Sequence, residues 1–306
     1  MGRVIAGQWD ERDSMPTDEH GSFVRAATEF RGSIAPADVE AGRYHLYVSY
    51  ACPWAHRTLI ARALLGLQDV VSISVSHPIL GRDGWTFDGR PLWQVYVEAR
   101  PDYTGRATVP VLWDRANETV VNNESREIMR MFATVFRPLW THERDLSPRS
   151  SRQLIDALID ELYMPVNNGV YRCGFARTQK AYEDAAYELF AALDHWESIL
   201  AGQRFLCGDT LTEADICLFT TLFRFDLVYH THFKCNLRRV VDYPNLWGFV
   251  RDVYATNGIA DTCRIDHIKT HYFTSHESIN PFRIVPIGPA IDFTQPHDRT
   301  RFGDGP

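Results

Sequence analysis

The chain has no run approaching the ~18 consecutive apolar residues that a membrane-spanning helix requires. Its opening residues lack the apolar core of a secretory signal. Positive charge is scarce: 32 Lys and Arg stand against 39 Asp and Glu, a formal net charge of -7. Nucleic-acid binders and anionic-membrane binders need a basic face, so no nucleic-acid or membrane partner is expected. The six cysteines (Cys52, Cys173, Cys207, Cys217, Cys235 and Cys263) include no CxxC pair. That scatter fits neither a zinc site nor a secreted disulfide framework. It fits reduced thiols, and the expectation is a cytoplasmic protein with no bound metal. His267 and His271 are spaced i, i+4, but no third ligand accompanies them, and a surface or packing role is expected. The stretch 202–208 lacks the Lys-Ser/Thr end of a phosphate loop.

What is present is an ordinary globular composition: 306 residues, 45% hydrophobic and 23% charged. At ~150 residues per domain that length suggests two domains. Residues 1–42 are polar, punctuated by Gly and Pro, and read as an extended N-terminal arm. Residues 43–140 read as an α/β domain. Arg43 to Tyr50 is aromatic and β-branched, as a strand should be. Ala51-Cys52-Pro53 breaks it, and Pro53 suits the first position of a helix whose apolar residues Ala55, Leu59, Ile60, Ala63, Leu64 and Leu67 recur at helical spacing. Residues 69–76 read as a second strand, so the unit is a right-handed parallel βαβ. A Gly-, Pro- and Trp-rich loop follows at 78–105. Residues 107–113 and 119–121 then predict a hairpin, and Asn123-Glu124-Ser125 starts a helix running to Phe136. The order β-α-β, then β-β-α, is thioredoxin-like. Residues 150–263 read as all-helical, with helices predicted at 151–163, 178–201, 212–230 and 244–256; the third opens on the N-cap pattern Thr212-Glu213-Ala214-Asp215. Residues 264–306 have no clear period and are expected to form a C-terminal extension packed over the helical half.

Cys52 falls where a strand hands over to a helix. First-turn N–H groups and the helix dipole favour a negative charge there, so the thiolate gains. His56 and Arg57, one turn on, would add positive potential; the alternative is an inert cysteine at a helix start. A dithiol motif would read C-P-x-C, but Ala55 takes the last place. Release of a mixed disulfide at Cys52 therefore calls for an external thiol, and glutathione is the obvious one. Val109-Pro110 precedes the third strand, where a cis proline would present the Val109 backbone to an extended peptide; it also fits an ordinary edge-strand proline. Glu124-Ser125 at a helix start can hold an ammonium and a carboxylate, both carried by the γ-glutamyl end of glutathione, or can simply cap the helix.

The stretches YVSYACPWAHR (47–57), RPDYTGRATVPVLWD (100–114) and NNES (122–125) resemble the glutathionyl-hydroquinone reductases, the xi class of glutathione transferases. So do GSFVR (21–25), NNGVY (167–171), LTEADI (211–216) and SHESINPFRIVPIGP (275–289). The resemblance implies a thioredoxin-like N-terminal domain, an all-α glutathione-transferase C-terminal domain and a homodimer. It implies reduction of glutathionyl-hydroquinones to hydroquinones, with glutathione as cosubstrate and no tightly bound cofactor. Cys52 becomes the nucleophile. Trp85, Arg106, Val109, Glu124 and Ser125 become the glutathione site, and Tyr171 and Tyr272 the hydroxyls lining the hydroquinone pocket. Arg126 departs from the pattern, since relatives often carry a small polar residue there. Two other readings stay open: an omega-like thiol transferase or dehydroascorbate reductase sharing Cys52 but not needing the tyrosines, and a non-catalytic binding module.

Overall fold

A four-stranded mixed sheet carries the first half of the chain. Two short strands, β1 (Arg3–Ile5) and β2 (Gln8–Asp10), form a hairpin ahead of it. The sheet is built from β3 (Tyr44–Val48), β4 (Ser72–Val75), β7 (Val111–Asp114) and β8 (Thr119–Asn122), in the order β4-β3-β7-β8. β3 runs parallel to β4 and antiparallel to β7, which forms a hairpin with β8. Leu46 and Val48 of β3 and Val111 and Leu112 of β7 are fully buried. Between β3 and β4 the chain makes α1 (Pro53–Leu64), and after β8 it makes α3 (Ser125–Phe132), which packs against α1. Gly66, with φ +66°, follows the end of α1; an added Cβ would run into the Thr141 hydroxyl.

The structure is a computed structural model describing residues 2–12 and 15–303. It divides into two units. The first comprises Met1–Met15, Ala26–Arg144 and Thr262–Val285; the second comprises Pro16–Arg25, Asp145–Asp261 and Pro286–Pro306. The expected 78–105 loop holds a two-residue hairpin, β5 (Thr86–Phe87) with β6 (Arg90–Pro91), and a helix α2 (Leu92–Ala99) that packs against β8. Pro91 supplies the extended N-cap from which α2 starts.

In the second unit, α4 (Arg152–Leu162) runs through a π turn, Tyr163–Asn167, into α5 (Gly169–Gly174). α6 (Gln179–Leu200) packs against α5. α7 (Glu213–Arg224) continues through a second π turn, Phe225–Tyr229, into α8 (His230–His232), and α9 (Pro244–Ala255) packs on α6 and α7. Thr212 caps α7 as its sequence predicts. The buried Asp215 carboxylate accepts from Thr212 N at 2.8 Å and Oγ1 at 2.9 Å, and from Leu206 N at 2.7 Å.

The C-terminal stretch departs from expectation. Instead of an aperiodic extension over the helical half, Thr262–Val285 belongs to the first unit and carries α10 (Ile265–Ser275). Its buried residues are Ile268, His271, Tyr272 and Phe273. A histidine among them disguises the apolar period. The last segment does join the second unit, where the buried Arg299 guanidinium donates to the carbonyls of Leu200 at 2.7 Å and Arg204 at 2.9 Å. The arm is likewise divided, with Pro16–Arg25 in the second unit and the flanking residues in the first. Among the described residues no helix is long and apolar enough to cross a membrane, and no group of three or more His, Cys, Asp or Glu could hold a metal.

Two predictions follow from buried polar groups. Asp215→Ala removes a cap and strands buried N–H groups, and should cost about 2 kcal/mol or more in urea unfolding. His45 on β3 lies between the hydroxyls of Ser72 at 2.7 Å and Ser74 at 2.9 Å. Burial, with Arg115 alongside, pushes its imidazole down from 6.5 to about 4. Burial does the same to His232. Between those two pH values an unfolded histidine binds a proton that the native one refuses. Their contribution to stability is therefore complete above pH 6.5 and falls as pH drops toward 4. Melting curves at neutral and mildly acidic pH should show a smaller acid loss in His45→Gln than in the parent; an equal loss would contradict this.

Candidate active site

β3 ends at Val48, and the backbone turns at Cys52 into α1 with Pro53 as its first residue. Cys52 is the N-cap, with extended dihedrals of φ −78° and ψ 122°, and is half-buried. Its carbonyl accepts the His56 N–H at 3.0 Å. The thiol therefore stands at the positive end of a twelve-residue helix. Its Sγ lies 3.6 Å from the carbonyl oxygen of Val109, and the Val109–Pro110 peptide is cis. The sheet brings this about: β7, which begins at Val111, lies beside β3.

His56 and Arg57 are both buried. His56 Nε2 is 2.8 Å from Thr262 Oγ1 and 3.8 Å from Cys263 Sγ. The Arg57 guanidinium sits 4.3 Å from the Trp54 ring centre. The neighbourhood of α1 thus includes a cysteine, Cys263, that sequence spacing did not place there. At the other helix start, Glu124 is the N-cap of α3. Its carboxylate accepts from Arg126 N at 3.2 Å, Ser125 Oγ at 3.4 Å and Thr28 Oγ1 of the arm at 3.4 Å. The carboxylate is both the expected cap and partly accessible, while Ser125 is buried.

Trp85 is buried against His271 of α10, with ring centres 4.7 Å apart and planes 26° apart. The loop that carries it is fixed from two directions. His271 Nδ1 lies 3.1 Å from the Pro78 carbonyl, and Leu80 N donates to Ser275 Oγ at 3.0 Å. From β2, Trp9 Nε1 donates to the Arg82 carbonyl at 3.0 Å. Tyr272, the neighbour of His271, is buried and packs edge-on against His271 and His276. Arg106 is half-buried, with Nη1 3.4 Å from Met15 Sδ. The first unit therefore holds Cys52, Trp85, Arg106, Val109, Glu124, Ser125 and Tyr272.

Tyr171 lies on α5 in the second unit. Its ring neighbours are Phe233 at 5.5 Å, Tyr229 at 6.0 Å, Phe175 at 6.3 Å and Phe23 of the arm at 6.5 Å. Sequence reasoning missed three residues around these groups: His271, Tyr229 and Arg25. His271 was assigned only a surface or packing role, Tyr229 lay unremarked inside a predicted helix, and Arg25 stood in a matched motif that carried no local chemistry.

Residues 51–135 match the family description of the glutathione S-transferase N-terminal domain, and residues 179–252 that of the C-terminal domain. The chain is 48% identical to glutathionyl-hydroquinone reductase YqjG of Escherichia coli K12, over 99% of this chain and all of that protein. It is 47% identical to glutathionyl-hydroquinone reductase PcpF of Sphingobium chlorophenolicum, covering 95% of this chain and 97% of the relative. The solved xi-class glutathione transferase of Natrialba magadii superposes with a TM-score of 0.93 at 50% identity, covering 98% of each chain. The glutathione-bound structure of Escherichia coli YqjG gives 0.85 at 48% identity, covering 97% of this chain and 99% of the other. With a thiol at a helix start, no second cysteine in the CPWA motif and full-length similarity of this order, the chain belongs to the glutathionyl-hydroquinone reductases of the xi class of glutathione transferases.

Proposed function

We propose that this protein reduces glutathionyl-hydroquinones to hydroquinones at the expense of glutathione, through a mixed disulfide on Cys52. The observation that carries the proposal is Cys52 itself: a half-buried thiol at the start of α1, 3.6 Å from the Val109 carbonyl, with Ala55 where a dithiol enzyme has its second cysteine. The Cys52 thiolate attacks the sulfur that joins glutathione to the ring. The new bond is the Cys52–glutathione disulfide, and the bond that breaks is the carbon–sulfur bond. The ring carbon keeps the electron pair and takes a proton, so hydroquinone leaves. A second glutathione then attacks the mixed disulfide, releasing glutathione disulfide and restoring the thiolate. The ring is reduced by two electrons and two glutathione sulfurs are oxidised to one disulfide, so the sequence balances.

In this reading the Val109 backbone pairs with the cysteinyl unit of glutathione, as an extended peptide pairs with a sheet edge. Glu124 takes the α-ammonium, and Ser125 with the first turn of α3 takes the adjacent carboxylate. Trp85 and Arg106 complete the glutathione site. Tyr171 and Tyr272 supply hydroxyls to the quinol oxygens and the proton to the ring. The protein works as a cytoplasmic homodimer with glutathione as cosubstrate.

The test is turnover of glutathionyl-menadiol with glutathione. The parent protein should release menadiol, and Cys52→Ala should lower the rate by a factor on the order of 10³ or more, the loss expected when a nucleophile is removed. Activity confined to small disulfides or dehydroascorbate would select an omega-like thiol transferase instead, and failure to bind glutathione would select a non-catalytic module. His271→Ala removes the ring beneath Trp85 and should raise KM for glutathione several-fold, by about 1 kcal/mol of lost packing. An unchanged KM would remove Trp85 from the glutathione site.

A further inference from the structure

We infer that Arg25, from the N-terminal arm, is a positioning residue for Tyr171, holding a positive charge against one of the two phenols from which the proposed reaction draws its proton. The inference rests on that reading of Tyr171 and adds to it a residue from a segment read at first as a surface arm.

The Arg25 guanidinium carbon lies 4.8 Å from the centre of the Tyr171 ring and 5.3 Å from that of Phe23. Its direction is fixed, because Arg25 Nε donates to Asn168 Oδ1 at 2.8 Å. Asn168 is itself buried and starts the helix that carries Tyr171, its carbonyl accepting the Tyr171 N–H at 3.0 Å and the Arg172 N–H at 2.9 Å. Asn168, the N-cap of α5, precedes Tyr171 by three residues and so stands on the same side of the helix start. One residue therefore sets the start of the helix and holds the cation over its phenol.

The arm is built to deliver that cation. The Gly21 carbonyl accepts Arg177 N at 2.9 Å, and Thr178 Oγ1 donates to the His20 carbonyl at 2.8 Å. Gly21 has φ +82°, and a Cβ there would come within 2.9 Å of Thr178 Cγ2, so the close approach requires glycine. Phe23 is buried and packs on Phe175 at 5.5 Å. These contacts, and the cation, lie within the second unit.

The chemistry explains why a cation belongs there. When Tyr171 gives its proton to the ring carbon, a phenolate remains beside Phe233, Tyr229, Phe175 and Phe23, and the guanidinium over its ring opposes the new negative charge. A guanidinium over the ring stabilises the phenolate more than the phenol, so it lowers the barrier to proton donation while leaving glutathione binding alone. The phenol regains its proton as the incoming glutathione thiol gives one up.

Arg25→Gln keeps an N–H donor for Asn168 and removes the charge; Arg25→Lys keeps a charge. Both are to be measured in the parent and in Tyr171→Phe, with glutathionyl-menadiol and glutathione, recording kcat and KM for glutathione. Arg25→Gln should lower kcat roughly tenfold with KM changed less than about twofold, and Arg25→Lys should recover to within about threefold of the parent. In Tyr171→Phe the Gln change should cost less than about twofold further, since the group it serves is gone. A parent-like kcat in Arg25→Gln, a Lys variant as slow as Gln, or the full loss repeated in Tyr171→Phe would each overturn the role. A parent protein that releases no menadiol would overturn the functional reading, and with it this one.

Discussion

A single constraint organises this protein: one thiol must sit where a strand becomes a helix, and no other thiol may follow it in the first turn. β3 ends, Pro53 begins α1, and Cys52 is left at the junction facing the dipole of the helix. Had Ala55 been cysteine, the chain would carry its own resolving thiol and could act as a dithiol exchanger. Alanine there leaves release of a mixed disulfide to a thiol from solution, which the proposed glutathione site would select. The sheet order places the Val109 carbonyl beside Cys52 and the start of α3 one strand further on, the two places where the proposal seats glutathione.

The segments outside the two family domains contribute more than cover. The β1–β2 hairpin reaches Arg82 through Trp9, and α10 reaches Pro78 and Leu80 through His271 and Ser275. Between them they hold the loop that presents Trp85. α10 sets Tyr272 directly beside His271, so one helix serves both the tryptophan and a tyrosine of the proposed site. In the second unit the arm performs the matching service for Tyr171, with Phe23 against its ring and Arg25 over it. Both extensions are thus read as parts of the chemistry.

Much of this was legible in the sequence wherever one local rule dominated. β3, α1 and the β7–β8 hairpin follow from periodicity and from Pro53; α7 follows from Thr212 and Asp215, whose side chains do form the cap. α2 was hidden inside a stretch whose Gly, Pro and Trp content reads as loop. α10 was hidden because His271 occupies a buried position that an apolar count scores as polar. Arg25 could not be found by any local rule, since the contacts that give it a role, on Asn168 and Tyr171, lie far along the chain. The proximity of Cys263 to His56 was invisible for the same reason.

The central claim, that Cys52 accepts glutathione and cannot release it alone, is tested most directly by a single-turnover experiment. The protein is mixed with excess glutathionyl-hydroquinone and no free glutathione, quenched in acid, digested and weighed. The account predicts one equivalent of hydroquinone per chain, then arrest, with one glutathione on the peptide containing Cys52. Continued release without added thiol, or an adduct on another cysteine with Cys52 unmodified, would contradict it.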